Sequence, residues 1–228
     1  MTTIARFRLL AAVALAAATV AATTASAAAS ASSGPPYPCA ATGGPNADAS
    51  AIGWLGNGQG ATACLGGSFY VPNGINTTYG FGVYNYSRTT WTNADGYLPA
   101  LVTSFASGGA RVSITNFGDR VVLGGRPYVL IYSRVAVHNP TSQSVTVDPQ
   151  PTPGLVPLNA ASSQVAPGTT ADHDYVVAED RFGGTYAWPS TAQLQSAGGY
   201  DAHFAHMRAF WDASLSQTAQ LTLPDSQL

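Results

Sequence analysis

The chain has 228 residues, with 9 arginines, no lysine, 11 acidic residues and a formal net charge of −2. That balance argues against nucleic acid, whose binding rests on neutralising phosphates, and against anionic membrane surfaces. A chain without lysine has no access to Schiff-base or lysine-nucleophile chemistry.

Arg6 and Arg8 precede the apolar run "LLAAVALAAATVAA", which is short for a bilayer span, and Ala25-Ser26-Ala27 then gives a small-x-small cleavage pattern. Residues 1–27 are therefore predicted to be a secretory signal peptide, so the mature protein is secreted with no membrane segment left. Phe7 separates the two arginines, which favours Sec over twin-arginine export. The remainder is long enough for one domain with its own core, and losing two arginines makes it more acidic. Residues 28–38, opening "AASASSGPPY", read as a flexible leader. Cys39 and Cys64 are the two cysteines, and an isolated pair in an exported chain predicts a disulfide. Closing that loop constrains the unfolded chain by roughly 3 kcal/mol. A two-thiol metal site needs further ligands at suitable spacing, and none lie nearby.

Strand signals begin after a Gly-, Ala- and Asn-rich stretch anchored by Trp54. "GSFYVP", the turn "NGIN" and "TTYGFGVYNYSRTTW" come first; "RVSITNF" leads through "GD" to "RVVL", and "GG" separates that from "RPYVLIYSRVAV". "HNPTSQ" is a compact turn, "SVTVDPQP" returns, and "TTADHDYVVAEDRF" follows "APG". Short β-branched and aromatic runs punctuated by Gly, Pro, Asn and Asp predict a mainly β fold, an antiparallel sandwich, over residues 39–189. Alternation puts Val112, Ile114 and Asn116 on one face and Arg111, Ser113, Thr115 and Phe117 on the other. In 128–137 both faces are substantially apolar, which predicts a central strand covered on both sides.

Residues 190–228 turn helical. Ser190 and Gln193 have the form of a capping box, and Gly198-Gly199 stops a brief helix. Asp201 can cap a second, amphipathic helix, along which Phe204, Met207, Trp211 and Leu215 form one apolar stripe.

Explicit chemistry is sparse. Hydrolysis of a glycoside needs two carboxyl groups at defined separation, but adjacent Glu179 and Asp180 leave opposite faces of an extended strand. Asp172 and Asp174 share a face, and turn capping or solvation explains them most simply. His203 and His206 form a bare H-x-x-H with no third ligand, so no metal site is expected. Nucleophile-elbow, P-loop and dinucleotide motifs are absent. No candidate catalytic residue and no cofactor follow. The aromatic residues Tyr84, Tyr86 and Trp91, with Tyr79 and Phe81, lie among glycines and polar residues. Rings of this kind either fill a sandwich interior or cover the apolar face of a sugar. Tyr84, Tyr86 and Trp91 are the candidate carbohydrate contacts.

"VLIYSRVAVHNPTSQSVTVDPQP", "APGTTADHDYVVAEDRFGGTYAWP" and the closing "YDAHFAHMRAFWDASLSQTAQLTLPDSQL" resemble the N-terminal β-sandwich region and linker helix of secreted actinobacterial glycoside hydrolases of the six-hairpin, (α/α)6-barrel class. The resemblance covers roughly residues 65–228. It implies a non-catalytic sandwich whose terminal helix docks an (α/α)6 catalytic domain, with "TLPDSQL" at the threshold of that barrel and the chain a truncated piece of the enzyme. The competing expectation is a free-standing secreted module that binds carbohydrate or a cell-wall surface.

Overall fold

The computed structural model describes residues 49–64, 66–72, 74–83 and 89–218. β1 (Ala49–Ala51), β2 (Thr62–Cys64), β3 (Phe69–Val71) and β4 (Thr77–Tyr79) pair in that order as a four-stranded antiparallel sheet. A larger sheet takes β5 (Thr90–Asn93), β6 (Ala100–Ser107), β7 (Ala110–Leu123) and β8 (Arg126–His138). A small ladder pairs β9 (Val145–Thr146) with β11 (Gln164–Val165). β10 (Val156–Pro157) and β12 (Thr170–Asp180) complete the larger sheet, whose spatial order is β10-β12-β8-β7-β6-β5. Helices α1 (Thr191–Ser196) and α2 (Tyr200–Ser216) follow. The protein is thus mainly β and antiparallel, with a C-terminal helix.

Two tight hairpins build the centre. Gly108-Gly109 and Gly124-Gly125 each join strands through two residues with positive φ, between the pairs Ser107–Ala110 and Leu123–Arg126. Positive φ at both central positions matches the twist of paired strands, and glycine adopts it without a Cβ clash. β7 does not break where "GD" punctuates it: Gly118 and Asp119 both stay in register, opposite Ile131 and Leu130. The glycine serves a different purpose there. A Cβ on Gly118 would lie 2.3 Å from the Ile52 carbonyl oxygen, so the segment before β2 crosses the strand at this point. Gly118→Ala is expected to lower stability by about 1–3 kcal/mol through that backbone overlap, as read from urea unfolding.

β6 is a strand that the residue pattern did not single out. Its sequence "ALVTSFAS" is rich in Ala and Ser, and it owes its place to eight paired positions with β7.

The larger sheet is covered on both sides. Val112, Ile114, Ile131, Val135, Val137 and Val177 pack with Ile52, Phe69, Val71 and Phe81 against the smaller sheet. Asn116 and Ser133 lie on that same buried side. Ser133 donates to Asn116 Oδ1 at 2.6 Å, and Asn116 Nδ2 donates to the Gly67 carbonyl at 2.9 Å. Every member of that thread has a partner, as burial demands. On the outer side, Phe117, Leu130, Tyr132 and Val176 pack with Leu194, Tyr200 and Met207 of the helices. The double coverage expected for residues 128–137 is therefore met by a sheet on one side and helices on the other.

The capping box at Ser190 forms, with Ser190 Oγ and Gln193 satisfying each other's backbone. Gly199, not Asp201, is the N-cap of α2; Asp201 lies in its first turn. Of the expected stripe, Met207 is buried, Phe204 and Trp211 are half-buried and Leu215 is exposed. Tyr200 and Phe210 join the packed side.

Candidate functional site

Helix α2 covers one half of the outer face of the larger sheet. Its rings meet Phe117 and Tyr132, through Tyr200, Phe204 and His203. Beyond Tyr200 the same face continues toward the β6–β7 hairpin, and no described helix lies over it. There a groove of about 540 Å³ opens over β5, β6, β7, β8 and the start of β12, a size typical of ligand pockets.

Strand register arranges its floor as two rungs. One runs Thr90, Ser104, Ser113, Ala136; the other runs Ala106, Arg111, His138, Thr170. Directly paired residues share a face, with side chains about 5 Å apart. The first rung offers three hydroxyls and the second a guanidinium, an imidazole and a hydroxyl. His138 Nδ1 lies 3.2 Å from Thr170 Oγ1. None of the described groove-lining residues is acidic. Arg111 is exposed. Among the described arginines it alone has no ion pair, hydrogen bond or ring partner.

The neighbouring rung is saturated with its own contacts. Arg134 donates through Nε and Nη2 to the two oxygens of Asp174, at 2.7 and 2.9 Å, and through Nη1 to Asp201 at 2.8 Å. It also lies over the Tyr200 ring, 4.0 Å from the centroid. These carboxylates, Asp174 foremost, hold its proton more firmly than usual against the opposing effect of burial. Asp172 sits 3.7 Å from Arg134 Nη1. Asp172 and Asp174 do share a face, and what they do there is bind an arginine and, through Asp201, the first turn of α2.

A second clamp lies farther along α2. Asp119, fully buried on β7, meets His203 Nδ1 through Oδ2 and His206 Nδ1 through Oδ1, each at 2.7 Å. His203 Nε2 also lies 3.1 Å from the Ala197 carbonyl oxygen. His203 stacks on Tyr132 and His206 on Trp54. The H-x-x-H spacing has a structural use here: both rings reach one carboxylate. Among the described residues no group of three or more His, Cys, Asp or Glu could hold a metal ion.

Glu179 is fully buried. The register shifts between Ala178 and Asp180, so Glu179 is the extra residue of a β-bulge and escapes the simple alternation expected for it. Asn57 Nδ2 reaches both carboxyl oxygens, at 2.8 and 2.9 Å. Burial raises its pKa to about 8, with the Asn57 hydrogen bond partly opposing the rise.

Of the aromatic candidates, Trp91 stands on edge strand β5 and is 53% exposed. It pairs with Thr103, whose rung continues through Ile114 on the side facing the smaller sheet, so its ring is on the opposite face from the groove. Tyr84 and Tyr86 lie outside the described residues, while Tyr79 and Phe81 are in the sandwich interior. Cys64 is buried at the end of β2; Cys39, its expected partner, lies outside the described residues. The groove residues Ser104, Arg111, Ser113, His138 and Thr170 were not singled out as a site from the sequence. The available signal was the switch along β7 from Arg111, Ser113 and Thr115 to Phe117 on a single face.

No family model matches this chain, and no curated protein or solved structure matches it.

Proposed function

We propose that this chain is a non-catalytic β-sandwich portion of a secreted carbohydrate-active protein, and that the groove over β6, β7 and β8 holds saccharide. The observation that carries this reading is the pair of polar rungs on a sheet face that no described helix covers. Ser104, Ser113, Thr90 and Thr170 present hydroxyls that both donate and accept, which suits a ligand whose own edge is a row of hydroxyls. The resemblance of the later segments to six-hairpin glycoside hydrolases supports a setting beside an (α/α)6 catalytic domain, with the outward side of α2, where Ala205, Ala209 and Asp212 are exposed, as its docking face. The same groove would serve a free-standing cell-wall-binding module. Export with cleavage after Ala27, and a bridge between Cys39 and Cys64, belong to either setting.

Binding of an oligosaccharide panel by calorimetry tests the reading. Ser113→Trp fills the groove from its floor and is expected to abolish the binding seen with the unmodified protein. Trp91→Ala, on the other face, is expected to leave it unchanged. Binding that survives Ser113→Trp but is lost in Trp91→Ala would move the site to the aromatic edge and overturn the assignment.

A further inference from the structure

We propose that the groove selects acidic saccharides, with Arg111 as the seat of a uronate carboxylate. This rests on the reading of the groove as a saccharide site and names the ligand class within it. Arg111 is the observation that carries it. Arg134, two rungs away on the adjacent strand, is consumed by Asp174 and Asp201; Arg208 is paired with Asp95; Arg120 and Arg126 lie over aromatic rings. Among the described residues Arg111 has no such side-chain partner and no acidic residue lines the groove around it. The nearest acid on that face, Asp172, stands opposite Ala136 and faces Arg134 at 3.7 Å. A guanidinium presents a planar fork of donors that matches a carboxylate with two parallel hydrogen bonds. His138 lies directly opposite Arg111 in the β7–β8 register, adding an imidazole beside the same seat. The hydroxyl rung begins one side-chain repeat along the strand, at Ser113. A carboxylate on Arg111 therefore places the sugar hydroxyls over Ser113 and Ser104.

Trigalacturonate and a hyaluronan tetrasaccharide, each beside its methyl ester, separate charge from shape because the ester keeps the ring and removes the anion. At low salt the protein is expected to bind at least one acid form about tenfold or more tightly than its ester, the gain of a charge-assisted pair. Arg111→Gln is expected to erase that preference, bringing the acid form to the affinity of its ester. Arg111 is an exposed strand residue without partners, so its replacement does not threaten the fold. Equal affinity for acid and ester overturns the inference but spares the saccharide reading. Binding of neither form by the unmodified protein removes both. A preference that persists in Arg111→Gln overturns the assignment of the carboxylate to Arg111. Inorganic phosphate or acetate binding as tightly as the acid saccharides makes the seat a simple anion site and overturns the class of ligand.

Discussion

Asp119→Ala is expected to destabilise the protein by about 2–3 kcal/mol, the cost of stripping a buried hydrogen-bonded cluster of its shared acceptor. The carboxylate is fully buried beneath α2 and takes both His203 and His206. Without it, His203 keeps its Ala197 contact but loses the group that satisfies its other nitrogen. The helix would then rely on Met207, Tyr200 and half-covered rings, together with the exposed end of the Arg134–Asp201 pair. Urea unfolding reads the loss, and amide exchange along Tyr200–Ser216 should accelerate more than exchange in β7 and β8. His206→Ala should cost much less, because that ring is 60% exposed and exposed pairs contribute little. A loss below about 1 kcal/mol in Asp119→Ala, the ordinary value of a surface pair, would mean that the clamp does not hold α2.

Glu179 gives the second large effect, read as a dependence on pH. Its carboxyl holds a proton up to about 8 in the folded protein, against an ordinary value of 4.5, because burial penalises the anion. Between those values the folded state binds a proton that the unfolded state has released. Stability from this group is therefore complete below the ordinary value, declines as pH rises through the window and levels off above the folded value. The decline is on the order of 5 kcal/mol. Glu179→Gln removes the titration, so its stability should vary less across the same window whatever its absolute value. Parallel pH profiles for the two proteins would show that Glu179 ionises freely in the fold.

Local pattern carried the β class and much of the layering. Alternation in 111–117 and 128–137 assigned Ile114, Asn116, Phe117 and Val135 to the faces that they occupy, because a strand's period of two is fixed by covalent geometry. β6 escaped because its Ala and Ser residues carry weak strand preference, and its stability comes from pairing with β7. "GD" at 118–119 reads as a turn on propensity alone; tertiary approach by Ile52 and a side-chain contact across 84 residues to His203 reassign both positions. The bulge at Glu179 is equally invisible, since one inserted residue leaves the composition of the strand unchanged while turning a carboxyl inward. The groove was half legible: polar residues at 111, 113 and 115 pointed one way. What made them a site was the place where α2 stops covering the sheet, which no local signal states.

Backbone amide shifts followed during titration with the saccharide that binds best test the placement of the ligand most directly. The account predicts saturable changes confined to the two rungs, at Ser104, Arg111, Ser113, Ala136, His138 and Thr170, with α2 beyond its first turn and the smaller sheet unmoved. Changes centred on Trp91, on the outward side of α2 or on the smaller sheet, or no change at any residue, would contradict it.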